Sequence, residues 1–363
     1  MEFGLSNDQR LLQEAVSQFL AAEAKLDVIQ RAVEGGDDLL APMRMGLSEL
    51  GLNALLIPED EGGLGLGFFE VALIQQMLGR FVVPIDMSGN VLAALVFRRM
   101  RDTAARSAWL RKLAAGEAVF GLALSTPAAA RRGASGVQSR GEALHGSVPF
   151  AQLPVGATHL LVVDEAGCSW VADIASEGLL MTPLETIDRT RSFASLTLEG
   201  IVAERIVTEP GGGDLAGELL AFIRILIAAD TLGAAERMIE AAVQYSLERK
   251  QFGVPIASFQ AVKHMCAEMA ARVEPCKALL WHAAFVAANG MPEGPVMACL
   301  AKSHLSDVGR FVARTSTEVH GGMGFTDALG LHLWFKRIGM NRQLFGGPEF
   351  LRTEAARMQG WTS

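Results

Sequence analysis

The sequence predicts a mainly α protein with a central β domain, on three observations. Apolar residues recur at helical spacing through the first part of the chain. From Val119 to about Ile206 short apolar or alternating runs, broken by Gly, Pro and Asp, replace them. Helical periodicity then returns after Pro210-Gly211-Gly212-Gly213 and persists for most of the remaining length. The predicted boundaries are a helical domain over 1–115, a β domain over 116–208 and a helical bundle over 209–363.

Taken in order, Ser6-Asn7-Asp8-Gln9 supplies polar residues able to cap a helix, and Leu11, Leu12, Ala15, Val16, Phe19 and Leu20 continue it at helical spacing. Further helices are predicted over Met43–Leu50, closed by Gly51, and over Phe69–Phe81, Asn90–Met100 and Ala104–Ala115. Phe120–Leu124, His159–Val163 and Leu196–Leu198 read as strands. A helix from about Leu226 leads to Arg249, and four packed helices are expected in this last segment, with a break at Gly290-Met291-Pro292.

Composition excludes several classes of function. Half of the 363 residues are hydrophobic, but Arg, Asp or Glu interrupts every apolar run. None reaches the length of about 18 residues that a membrane span needs. The start, Met1-Glu2-Phe3-Gly4-Leu5-Ser6, lacks the basic and apolar regions of an export signal, so a cytoplasmic protein is expected. A net charge of -8 without a Lys/Arg block argues against nucleic acid. Cys168, Cys266, Cys276 and Cys299 lack metal-ligand spacing and read as reduced thiols.

The most specific signals lie in the last third: Glu248-Arg249-Lys250-Gln251-Phe252-Gly253-Val254-Pro255-Ile256, then Gln260, then His320-Gly321-Gly322-Met323-Gly324-Phe325. Together with the order of domains, they resemble the acyl-CoA dehydrogenase family over essentially the whole chain. The resemblance implies an N-terminal helical domain, a middle β-barrel and a C-terminal four-helix bundle. It also implies FAD, with Arg249 on the pyrophosphate, Phe252 against the adenosine half, Gln260 among the cofactor-binding residues, and Gly321 and Gly322 at the adenine end of a flavin held mainly by a neighbouring subunit. Arginine suits that role as a permanently charged fork of donors. Glu318 stands where the family usually has Gln and brings negative charge toward a dinucleotide.

The departures from the family are as informative. Dehydrogenation of an acyl-CoA needs a carboxylate to remove the α-proton while the flavin takes a hydride from the β-carbon. The family places that glutamate either in a C-terminal Tyr-Glu-Gly-Thr motif or on a bundle helix just before a characteristic arginine. Here the corresponding residues are Gly346, within Leu344-Phe345-Gly346-Gly347-Pro348-Glu349, and Ile223 before Arg224. Glu349 and Asp230 are the candidate substitutes. Their structural readings are a helix-start carboxylate and a partner for a helical arginine or hydroxyl. Arg224 is either ligand-directed or architectural. The flavin seat is altered too, with Ser125-Thr126-Pro127-Ala128-Ala129-Ala130-Arg131-Arg132 in place of Thr-Glu-Pro-x-Ala-Gly-Ser-Asp and Phe150-Ala151-Gln152 in place of a Trp-x-Thr element.

Features lent to a neighbour's flavin are retained, whereas those a chain uses for its own chemistry are lost. The resemblance therefore implies a non-catalytic, FAD-sharing subunit of a heteromeric acyl-CoA dehydrogenase that introduces an α,β double bond into an acyl-CoA thioester. Base-less subunits of this family belong to bacterial steroid and bile-acid side-chain degradation, which implies a steroid side-chain CoA ester. The implied partners are a homologous catalytic subunit, in a heterotetramer, and electron-transfer flavoprotein as acceptor. Two alternatives stand beside this reading: a self-contained flavoenzyme with a substitute base or base-independent chemistry, and a flavin-free scaffold or binding subunit.

Overall fold

The computed structural model describes residues 4–125, 136–209 and 214–361, without the Asp37 side chain. Six α-helices come first: α1 (Asn7–Glu23), α2 (Leu26–Val33), α3 (Ala41–Glu49), α4 (Phe68–Arg80), α5 (Ser88–Phe97) and α6 (Thr103–Ala114). The start of α1 shows why its predicted cap works. Ser6 accepts from the Gln9 backbone N–H at 3.2 Å while the Gln9 side chain accepts from the Ser6 N–H at 2.9 Å, a reciprocal capping box. Asp102 caps α6 in the same spirit, accepting from the Ala104 and Ala105 N–H groups.

Eight strands follow: β1 (Phe120–Leu124), β2 (Val137–Arg140), β3 (Ala143–Gln152), β4 (His159–Val163), β5 (Ser169–Asp173), β6 (Leu179–Leu184), β7 (Phe193–Val202) and β8 (Glu204–Ile206). They form one sheet in the order β6-β7-β3-β1-β4-β5-β8, with β2 added to β3. Among the described residues β1 and β4 pair in parallel and every other pairing is antiparallel. The sheet curls into a half-barrel around Leu144, Leu160, Val162, Trp170, Leu196 and Ile201. The central strands β1 and β4 are almost continuously apolar because both faces are covered, whereas β6 alternates as an edge does.

The remaining helices are α7 (Leu215–Glu248), α8 (Gln260–Ala288), α9 (Gly294–His320), α10 (Leu331–Gln343) and α11 (Pro348–Met358), with a short hairpin of β9 (Lys250–Gln251) and β10 (Val254–Pro255) between α7 and α8. α7 begins eleven residues before the expected Leu226. Asp214 accepts from the Gly217 N–H at 3.0 Å and so supplies the start signal that the adjacent glycines obscured. α9 packs against α8, α10 and α11.

By its contacts the chain forms two compact units, one made of residues 1–43, 72–84 and 224–363, the other of 44–71 and 85–223. Within the first unit α4 and α7 approach at backbone distance. A Cβ at Gly233 would lie 1.8 Å from the Gln76 carbonyl, and one at Gly79 would lie 2.2 Å from that of Asp230. No helix among the described residues is long and apolar enough to cross a membrane.

Candidate functional site

Arg249 lies one residue past the end of α7, where the chain turns into the β9–β10 hairpin. Its N–H closes on the Tyr245 carbonyl and its own carbonyl accepts from Ile256, both at 2.8 Å, so the backbone is fixed while the side chain is exposed. Phe252, at the hairpin tip, takes a left-handed φ of +52° and is 93% exposed. A bulky residue at positive φ is disfavoured, and an exposed ring gains nothing by burial within this chain. Its nearest ring is Phe259, edge-on at 6.2 Å between centroids. Gln260, the first residue of α8, is exposed.

The glycine turn lies at the same end of the bundle. α9 stops at His320, whose ring lies 4.6 Å from that of Tyr245 and whose Nδ1 lies 2.7 Å from the Ser316 carbonyl. Burial holds the His320 imidazole below the usual histidine range. Beyond it, a Cβ at Gly321 or Gly322 would meet nothing within 4 Å, and Phe325 is 81% exposed. Glu318 is exposed in the last turn of α9. An exposed arginine, an exposed ring and a glycine turn with open space above it fit the pyrophosphate and adenosine half of FAD. Glu318 opposes that fit by its charge.

The loop from Leu344 to Gly347 is built the opposite way. Phe345 and Gly346 both have positive φ, +52° and +114°, and Gly346 is buried. A Cβ at Gly346 would meet Phe350 Cδ1 at 2.8 Å and Leu351 Cδ2 at 3.0 Å, so this position faces the apolar contact formed by Cys299, Leu351 and Ala355. Arg224, 2% exposed, reaches the loop with Nε on the Phe345 carbonyl at 3.2 Å. Its two terminal nitrogens donate to Cys299 Sγ at 3.2 Å and Glu354 Oε2 at 2.8 Å. Ile223, one residue earlier on α7, is fully buried.

Both candidate substitute carboxylates are engaged. Asp230 is 0% exposed and accepts from Arg337 Nε at 3.0 Å, Arg337 Nη2 at 2.7 Å, Gln75 Nε2 at 2.9 Å and Asn341 Nδ2 at 2.7 Å. Glu349 stands exposed in the first turn of α11, 2.8 Å from Arg342 Nη2. Its own backbone N–H holds its carboxyl below the usual range, burial opposes this less strongly, and the Arg342 guanidinium adds to the lowering. A general base acting near neutral pH is tuned the other way.

In the β unit, Phe150 is 40% exposed and lies against Phe193 with centroids 4.5 Å apart, in a register shift of the β3–β7 ladder. Gln152, by contrast, is buried and donates to Asp86 Oδ2 at 3.0 Å. Phe150 leaves a ring face free for packing, while Gln152 is turned into the structure. The altered segment from Thr126 to Arg132 lies outside the described residues.

Lys302 and Glu354 escaped the sequence reading. Lys302 is 1% exposed and donates to the Gly346 carbonyl at 2.7 Å and, at 3.5 Å, to that of Arg342. One signal was available: a lone charge at helical spacing within the buried row Ala298, Ala301, Leu305. Among the described residues no group of three or more His, Cys, Asp or Glu side chains could hold a metal ion.

Comparison with known proteins agrees with this architecture. Residues 6–117 match the N-terminal domain of acyl-CoA dehydrogenases and residues 211–359 their C-terminal domain. The acyl-CoA dehydrogenase IpdE2 of Mycobacterium tuberculosis is 30% identical over 349 residues, covering 95% of both chains. FadE34 of the same organism, also named an acyl-CoA dehydrogenase, is 31% identical over 95% of this chain, which spans only 46% of that longer protein. The same fold is found in the ChsE4-ChsE5 complex of M. tuberculosis, with a TM-score of 0.88, 23% identity and full coverage of both chains. The Tcur3481-Tcur3483 steroid ACAD shares it with a TM-score of 0.85 and 24% identity, covering 97% of this chain and 98% of that one. With both terminal domains matched and a 30% identical relative aligned over 95% of both chains, the chain belongs to the acyl-CoA dehydrogenase family, whose cofactor is FAD.

Proposed function

We propose that this chain is the non-catalytic, FAD-sharing subunit of a heteromeric acyl-CoA dehydrogenase, working with a homologous catalytic subunit. The observation that carries the reading is the occupancy of the family's two base positions by Gly346 and Ile223, with position 346 facing apolar packing. A thioester α-proton is not removed at a useful rate without a positioned base. Bound FAD would take the hydride from the β-carbon, and electron-transfer flavoprotein would then accept the electrons. This chain's part is to offer Arg249 to the pyrophosphate, Phe252 to the adenosine, and Gln260 with the Gly321-Gly322 turn to the adenine end. The companion would supply the base and the flavin's main seat.

The heteromeric reading is supported by the two-component names of the ChsE4-ChsE5 and Tcur3481-Tcur3483 folds and by the match to under half of FadE34. A steroid side-chain CoA ester is the proposed substrate class, in keeping with the Tcur3481-Tcur3483 steroid ACAD whose fold this chain shares. The test is colour. The chain purified alone should be colourless, and co-expression with the chain encoded beside it should give a yellow complex that reduces an artificial acceptor with acyl-CoA. A yellow, active protein without a partner would establish the self-contained enzyme instead. No flavin under either condition would establish the scaffold.

A further inference from the structure

We propose that Lys302 and Arg224 are positioning residues that clamp the Phe345–Gly346 backbone shut against the Phe350 and Leu351 side chains. The meaning of the clamp rests on the reading of residues 344–349 as the family's base segment. The clamp itself rests on geometry. Two successive peptide carbonyls each receive a buried basic side chain, Phe345 from Arg224 at 3.2 Å and Gly346 from Lys302 at 2.7 Å. The same two residues are the pair with positive φ. A phenylalanine held in the left-handed region is strained and persists only where its surroundings over-determine it. Here the surroundings are donors on α7 and α9 and the Phe350 and Leu351 side chains below Gly346.

The groups facing Lys302 make the clamp sensitive to acid. Arg224 approaches from α7, Arg342 from α10, and Cys299 lies on α9 itself; Glu354 of α11 bonds Arg224. Burial first, and the Arg224 charge second, lower the Lys302 amine from 10.5 to about 7. The neutral amine still donates to the Gly346 carbonyl. Its protonation puts a second cation beside Arg224 with one nearby carboxylate, in a site closed to water. The sign follows by linkage. Between pH 7 and 10.5 the opened or unfolded chain holds a proton on Lys302 that the closed form lacks. Closure therefore strengthens as pH rises through that window and is weakest below it.

The test is limited chymotrypsin digestion of the full chain, timing cleavage after Phe345 by mass spectrometry. Lys302→Met should leave circular dichroism unchanged and accelerate that cut by about three- to tenfold, the factor that loss of one hydrogen bond allows. Wild type should be cut faster at pH 6 than at pH 8, after normalising to an unstructured peptide, and the folded Met variant should lose that dependence. Unchanged cleavage in folded Lys302→Met, or a wild-type rate indifferent to pH, overturns the clamp. Should Lys302→Met fail to fold, Gly346→Ala decides. A Cβ forced against Phe350 must raise cleavage after Phe345, and a rate equal to wild type overturns the proposal. No readout uses flavin content or turnover, so the clamp and the non-catalytic reading can fail separately.

Discussion

Two loops of the same compact unit face opposite demands. The corner holding Arg249, Phe252 and the Gly321-Gly322 turn keeps its polar and aromatic groups outward, with Phe252 93% and Phe325 81% exposed. The loop at Gly346 turns inward, its carbonyls taken by Arg224 and Lys302 and its Cβ direction filled by Phe350 and Leu351. The first is costly to an isolated chain and useful to a neighbour. The second is a closed structural joint. A subunit that contributes to a shared cofactor without performing the proton transfer would be built with this division.

The largest effect expected from any single change belongs to Asp230. Removing its carboxylate in Asp230→Ala leaves the buried Arg337 guanidinium without its counter-charge, at a cost of about 3–5 kcal/mol. Urea unfolding or soluble yield would register it. If Asp230→Asn instead kept full stability in the yellow complex and abolished turnover, the acid would be a base and the division between the two loops would fall.

Arg249→Ala should act on the open corner alone. Loss of a charge-assisted contact worth about 1.5–3 kcal/mol lowers FAD affinity of the co-expressed complex about tenfold or more, with the melting temperature of the isolated chain unchanged. Retained flavin on dilution, measured by absorbance, would make the corner structural. For the closed loop, Gly346→Glu places a side chain at φ +114° against Phe350. The substitution should destabilise by about 1–3 kcal/mol and leave acceptor reduction at background. An active Gly346→Glu chain would mean that the loop opens readily and that only the base had been lost. The smallest change is Glu318→Gln, which removes an exposed negative charge near the Gly321-Gly322 turn and should slow FAD release from the co-expressed complex about two- to threefold at low salt.

Much of this was legible beforehand because it depends on local pattern. Ser6 and Gln9 announced the first helix, and the Arg249-to-Phe252 and His320-to-Phe325 runs announced the corner, since spacing along the chain fixes what a helix end can offer. The start of α7 was misplaced because the capping Asp214 follows a run of glycines. Lys302 showed locally only as a lone charge in a buried row, and its partners did not show at all: its importance comes from meeting Gly346, 44 residues away, and from Arg224 on a third helix. No local pattern encodes a charge placed by tertiary contact. Asp230 was legible as the partner of a helical arginine, but which arginine was not, since Gln75 and Arg337 stand 155 and 107 positions away.

That buried carboxylate also sets a timetable for synthesis. Residues 44–71 and 85–223 contain every strand of the half-barrel and can close on one another while the ribosome is still making α7. Asp230 must wait for Arg337 and Asn341, which emerge near the end of translation, while Gln75 and the α4 backbone have been waiting since its beginning. Until then the Gly79–Gly233 contact surface has no ionic lock. Nascent chains of this protein therefore pass the last part of elongation, beyond residue 223 of 363, with one unit complete and the other held open, and it is in this interval that a chaperone would act.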